Sequence, residues 1–399
     1  MNKKAFGYAA LALLLSTAAA AQNPAAAPAP KLKISEKART PISELQSAVN
    51  AKDAANIPAK LAAAKAAAQT PDEKYAVAQL QLKAAVGAND DAAIAAAIDG
   101  VAQSGYLDAA KTAELYVSLG SKYFGQKQYA QAAALFERAA TINPSDSKLQ
   151  LMIADTRMAE GRKADAAAIY DRAIKASQTA GQKPQESLYK RAVQAAYDAK
   201  TANLNDLARQ WVTAYPNAES WRNSIAIYRN QTSPDMEGTL DLLRLMRAAG
   251  ALNKSNDLSL YVSVLADRAN FIEAQRALEQ ASQTPGLDPA GLQSLKATVA
   301  GKPKVTAADL AAAAKSAQSA TALLRVGDRY YGLGEYAKAA ETYRAAKAKG
   351  AEAGLADLRT GVALAGAGDV PGATAALKSV SGSRAGIAQY WLLYLQTKG

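Results

Sequence analysis

A 34-residue layout recurs along this chain, and that period constrains the fold more than any other feature. In Ala113–Asp146, AELYVSLGSKYFGQKQYAQAAALFERAATINPSD, the residues Gly120, Ala132, Phe136 and Ala139 stand 34 positions ahead of Ala154, Ala166, Tyr170 and Ala173. A second pair lies near the C-terminus. There Gly327, Tyr330, Gly334, Ala339, Tyr343 and Ala346 are followed at the same distance by Gly361, Leu364, Gly368, Ala373, Leu377 and Val380. Repetition at such a period marks stacked supersecondary units, none of which buries its apolar face alone. Ala is frequent, whereas Phe (4), Met (5) and Trp (3) are scarce, so the units are expected to be helices in close contact. Small residues at Gly120, Ala132 and Ala139 suit positions where helices cross, and Tyr123 and Phe136 fill the gaps beside them.

The period, with Tyr116, Leu119–Gly120, Tyr123, Ala132, Phe136, Ala139 and the terminal Pro144, resembles the tetratricopeptide repeat (TPR). That resemblance implies an all-α fold, a right-handed α–α superhelical solenoid of TPR and TPR-like helix pairs. The clearest repeats are 113–146, 147–180, 320–353 and 354–381 within a solenoid expected over 42–383. Turns inside the pairs are expected at Gln126–Gln128, Glu160–Arg162 and Leu333–Glu335, where Gly161 and Gly334 suit a left-handed residue. The registry between Gly181 and Ser319 is degenerate. Helices are nonetheless expected over Leu204–Pro216, from Trp221, over Tyr261–Ala281, and as two short pieces in Asp288–Ser319 with Thr306 and Asp309 as a capping pair. Weaker Ala-rich pairs are read over Ile42–Ala68 and Tyr75–Gly100. Residues 384–399 form an amphipathic segment carrying Tyr390, Trp391 and Tyr394, read as a capping helix that covers the last repeat or, alternatively, as an exposed docking surface.

Ahead of the repeats, Lys3 and Lys4, the apolar run Ala9–Leu15 and Ala19–Ala20–Ala21 read as a signal peptide spanning 1–21, cleaved near Ala21/Gln22, with an uncleaved anchor as the alternative. Residues 22–41 read as an Ala/Pro-rich spacer followed by a basic stretch. The mature chain is expected in the periplasm or secreted, with no transmembrane span. Neither Cys nor His occurs, which removes disulfides and the commonest general base and zinc ligand. The net charge of +12 leaves +10 once Lys3 and Lys4 are removed. In that compartment the excess points to anionic envelope components, peptidoglycan or lipid headgroups, rather than nucleic acid, although acids interleaved along the helices also fit a simple solvated surface.

By position in the resembled family, the first helix of each pair lines the concave face. The peptide groove would contain Val117, Ser121, Phe124, Leu151, Asp155 and Met158 from the first clear pair. The second would add Leu324, Asp328, Tyr331, Leu358 and Val362. Some family members grip a chain-end carboxylate with Asn, Lys and Arg. Here the matching positions hold Ser121, Asp155, Asp328 and Val362, so that clamp is absent.

Other motifs carry little chemistry. Ser145–Lys148 and Ser187–Lys190 match Ser-x-x-Lys but lack the companion motifs of penicillin-recognising enzymes. Gly332-x-Gly334 belongs to a repeat turn, Asp90–Asp91 to an interhelical turn, and Asn230–Thr232 is an isolated glycosylation string. No catalytic residue, cofactor or metal is expected. The leading functional reading is a non-catalytic periplasmic scaffold that binds a protein or peptide partner in envelope assembly or transport. The alternative is a structural or regulatory module that contacts anionic envelope polymer through its basic surface.

Overall fold

The computed structural model describes residues 32–144, 146–283, 287–303 and 305–398. The expected signal peptide and Ala/Pro spacer, within residues 1–31, lie outside them, as does Ser145. The described residues form twenty-one α-helices and one short 3-10 turn, and contain no strand. They divide into two compact units. One comprises the described residues up to Pro184 with Arg191–Thr201, the other Gln185–Lys190 with the described residues from Ala202 onward.

The first unit is a run of helix pairs: α1 (Glu36–Asn50) with α2 (Ile57–Ala67), α3 (Pro71–Ala88) with α4 (Asp91–Ser104), α5 (Ala109–Gly125) with α6 (Tyr129–Ile142), and α7 (Ser147–Ala159) with α8 (Lys163–Thr179). The next helix, α9 (Glu186–Ala199), contributes to both units. A Cβ at Gly120 would lie 2.6 Å from the Phe136 ring, so α5 reaches α6 only because that position lacks a side chain. The C-terminal repeats use the same lock. A Cβ at Gly327 would meet the Tyr343 ring at 2.6 Å, and one at Gly361 would meet Leu377 at 2.6 Å.

Turn chemistry follows the period as well, with one exception. Gly161 (φ 80°), Gly334 (φ 80°) and Gly368 (φ 82°) are left-handed, but the equivalent place in the first repeat holds Lys127 (φ 62°). Its Cβ bears a steric cost that glycine would escape.

The expected linker is shorter than the sequence suggested. Helix α1 begins at Glu36 rather than near Ile42, with Pro41 inside it. The segment before it is tied down, because Lys33 N donates to Asp72 Oδ2 (2.6 Å) and Ser35 N to Glu73 Oε1 (2.9 Å). Glu73 is the third residue of α3 in a capping box with Thr70, and its carboxylate also accepts from Gln69 N (2.8 Å) and Thr70 N (3.0 Å). One buried carboxylate thus closes the start of α3 and anchors the chain entering α1. The Ser35 hydroxyl, followed by the Thr70, Gln69 and Ser35 amides, holds its pKa down at about 2.

The second unit continues with α10 (Leu204–Ala214), α11 (Ala218–Thr232), α12 (Met236–Ala248), α13 (Ser255–Asp267), α14 (Phe271–Ala281), α15 (Pro289–Val299) and α16 (Ala307–Ser316). The well-phased helices α17 (Ala320–Leu333), α18 (Tyr336–Ala348), α19 (Ala353–Ala367) and α20 (Val370–Lys378) precede the terminal α21 (Ala385–Lys398). Thr306 and Asp309 form the capping box read from the sequence. At the centre of this unit is α12, buried at every residue from Gly238 to Met246. A helix enclosed on all faces is a core element, not the amphipathic wall of an open array. Helix α21 closes the unit over it. Trp391 Nε1 donates to Asp241 O (3.3 Å), Tyr394 Oη donates to Ala248 O (3.1 Å), and the Tyr390 hydroxyl lies 2.9 Å from Ser224 Oγ. The three aromatics are therefore buried rather than displayed, and they cap α11 and α12 as well as the last repeat.

Two measurements test this account. Lys127→Gly is expected to stabilise the chain by about 0.5–1 kcal/mol and Gly327→Ala to destabilise it by about 1–3 kcal/mol, both read by urea unfolding. Glu73→Gln is expected to lower the urea midpoint at pH 7. Because the folded-state pKa is depressed, the wild-type advantage is present above the unfolded value of 4.5 and fades as pH falls toward 2, so the two midpoints should converge across that window.

Candidate functional site

A single polar constellation occurs three times, built from an Asp on one helix, a Tyr hydroxyl from the following helix and an Arg from the helix after it. Asp99 on α4 accepts from Tyr116 Oη (2.6 Å) and from Arg138 Nη1 (2.8 and 2.9 Å). Asp155 on α7 accepts from Tyr170 Oη and from Arg191 Nη1 (3.1 and 2.9 Å). Asp328 on α17 accepts from Tyr343 Oη (2.7 Å) and from Arg359 Nη1 (3.1 Å). Burial and the neighbouring carboxylate raise the pKa of Tyr116, Tyr170 and Tyr343, which keeps each phenol a donor.

Solvent separates the copies. The Arg191 and Asp155 side chains are 49% and 40% exposed, whereas those of Arg359 and Asp328 are 2% and 7% exposed. In the second unit, α12 covers the Asp–Tyr–Arg set. Arg244 of α12 donates to Asp328 (3.1 Å) and, through two nitrogens, to Glu273 (2.8 and 2.7 Å). Glu273 also accepts from Tyr261 Oη (2.6 Å) and Asn270 Nδ2 (2.6 Å). Arg359 crosses from α19 to Asp241 of α12 (3.2 Å) and to Glu237. Two guanidinium groups thus meet the three buried carboxylates Asp241, Glu273 and Asp328. Asp241 Oδ2 has no hydrogen-bond partner among the described residues. Burial pushes the Asp241 pKa up, against the pull of Arg359 and Arg244.

The expected groove residues divide the same way. In the first unit Val117, Leu151, Asp155 and Met158 are half-buried, and Ser121 and Phe124 are exposed, Phe124 packing edge-on against Tyr129. In the second unit Leu324 is half-buried, but Asp328, Tyr331, Leu358 and Val362 are buried. Those four do not line an open peptide groove. Asp328 is consumed by the charge network, and Tyr331 and Val362 form part of a small cavity wall.

The remaining motifs have local roles. Asp90 caps α4 through Ala93 N, and Asp91 pairs with Lys122. Lys190 of the second Ser-x-x-Lys string pairs with Glu219 (2.5 Å) and lies 5.7 Å from the centre of the Trp211 ring. Among the described residues there is no acidic cluster able to hold a metal ion, and no helix is long and apolar enough to cross a membrane.

Tetratricopeptide repeat profiles match residues 123–195 and 324–386, which contain the Asp155 and Asp328 sets and the glycine locks at Gly327 and Gly361. The chain carries tetratricopeptide repeats in both segments. Among solved structures the chain is similar to the TPR2AB domain in a pHSP90 complex of yeast Sti1, at 12% identity and a TM-score of 0.26, covering 71% of this chain and 98% of that one. No curated protein matches the chain.

Sequence reasoning missed α12 and its partners. Leu240, Leu242, Leu243, Leu245 and Met246 surround the helix with apolar side chains, which was the available signal, but Asp241 and Arg244 give it a polar face by simple periodicity. The buried and exposed copies of one constellation allow a direct test. Arg359→Met is expected to cost about 3–5 kcal/mol of stability because it strands buried carboxylates. Arg191→Met, at the solvated equivalent, is expected to cost at most about 1 kcal/mol in the same urea titration.

Proposed function

We propose that this TPR protein is a non-catalytic scaffold of the periplasm that holds a protein or peptide partner on the helix face of its first unit. The observation that carries this reading is the contrast between equivalent positions. Val117, Ser121 and Phe124 on α5 recur 34 residues later as Leu151, Asp155 and Met158 on α7, and all six retain solvent access. Each set is spaced i, i+4, i+7 and so occupies one side of its helix. The corresponding positions of the second unit are largely covered by its own helices, so the first unit is where a partner would dock. Apolar Val117, Phe124, Leu151 and Met158 beside Ser121 and Asp155 suit a peptide of mixed character, whose side chains would be recognised by burial and by a few hydrogen bonds. The periplasmic assignment rests on the signal-peptide pattern of residues 1–21.

Two experiments test the reading. Expression with the native N-terminus followed by mass spectrometry of the periplasmic fraction should give a chain starting at Gln22; a retained leader in the membrane fraction would refute the soluble periplasmic form. A peptide array probed with the mature chain should yield binders whose affinity falls about tenfold or more in Val117→Glu and Met158→Glu variants of unchanged stability. Binding that survives about 0.5 M salt supports an apolar face, whereas binding abolished by salt and unaffected by these variants transfers the function to contact with an anionic envelope polymer.

A further inference from the structure

The second unit contains a cavity of about 270 Å³ between α12, α14, α17, α18, α19 and α21. Aromatic rings build its wall. Tyr331 and Tyr336 meet edge to face at 5.1 Å, as do Trp391 and Tyr394 at 5.6 Å. The wall depends on a glycine, because a Cβ at Gly366 would lie 2.8 Å from the Tyr336 ring. Beside these rings project three cations, Arg244, Arg247 and Lys398, and among the described residues no Asp or Glu lines the space.

The three cations are not equivalent. Arg244 is saturated by the buried carboxylates and lies 4.5 Å from the centre of the Tyr331 ring. Arg247 is half-buried, donates Nε to the neutral Gln280 Oε1 at 2.9 Å, and forms no ion pair among the described residues. Glu273, the carboxylate that acts on it through space, is already occupied by Arg244, Tyr261 and Asn270. Lys398 stands at the exposed mouth, 5.0 Å from the centre of the Tyr394 ring. A half-buried guanidinium with no carboxylate partner of its own gains most from an anion, since desolvation weakens its hydration and strengthens a charge-assisted hydrogen bond.

We propose that this cavity binds a small organic carboxylate with an aromatic or apolar body, its anionic end on Arg247 and Lys398 and its body against Tyr331, Tyr336 and Trp391. The volume is near the lower end of ligand pockets, about 300 Å³, and the lining combines convergent cations with aromatic rings. The site lies in the second unit and is independent of the docking face proposed for the first. Its carboxylate would be supplied either by a free small acid or by an acidic side chain next to an aromatic one in a partner.

Calorimetric titration of the mature chain at low salt tests the proposal with phenylacetate, its neutral amide and phenethylamine as probes. Phenylacetate is expected to bind saturably, and the amide and amine to bind at least about tenfold more weakly. Arg247→Gln should weaken phenylacetate by about tenfold, and Lys398→Gln, in the exposed terminal turn, should weaken it by a smaller factor without disturbing the fold. Circular dichroism and urea midpoints confirm that each variant is folded. A peptide blocked at both ends and carrying adjacent Phe and Glu distinguishes the sources. Displacement of phenylacetate by this peptide assigns the site to a partner side chain, and its failure assigns the site to a free acid. No saturable binding of phenylacetate, equal binding of acid and amide, or affinity unchanged in both folded variants overturns the proposal.

Discussion

The second unit depends on the buried exchange between Arg244 and Arg359 on one side and Asp241, Glu273 and Asp328 on the other. These groups come from α12, α14, α17 and α19, so no pair of adjacent repeats can form the network alone. Desolvating five charges is expensive, and the cost is offset only where every lone pair and proton finds a partner at good geometry. Tyr261, Tyr343 and Asn270 complete most of that set. The consequence is positional: α12 can sit in the middle of the unit in one orientation, with its arginine toward α14 and α17 and its aspartate toward α19. Hydrophobic burial by its five large apolar residues supplies the drive, and the charges select the register.

Seen this way, the repeat motif serves opposite ends in the two units. The Asp155 and Asp328 sets each join a first helix to its own second helix and to the next helix of the stack, whereas the Asp99 set joins a second helix to both helices of the following pair. Where Asp155 and Arg191 face water, the set is a modest surface link and the helix face stays available. Where Asp328 and Arg359 are covered, the same set becomes an attachment point for α12, and the face is spent on the protein's own core. The residual cavity beside Arg247 is what remains open once α12 and α21 have filled that face.

Much of this was legible in advance. The 34-residue spacing gave the well-phased helices, the turns at Gly161 and Gly334, and the glycine locks at Gly120, Gly327 and Gly361, because each depends on contacts inside one repeat. The capping pair Thr306–Asp309 was legible for the same reason. The start of α1 was not, since Ser35 and Lys33 are ordered by Asp72 and Glu73 of α3, well along the chain. The C-terminal groove was misread because family position shows which way a side chain points but not what lies opposite it.

The sequence by itself determined an all-helical repeat protein, the phase of its clear repeats, and which residues form the first-helix faces. Those are properties of short-range periodicity, fixed by steric fit within about 34 residues. Only the tertiary structure decided which of those faces is open. That choice is made by contacts between residues far apart in the chain, Arg244 with Asp328 and Arg359 with Asp241, whose worth depends on exclusion of water. Exclusion of water is a property of the packed unit, and no local pattern records it.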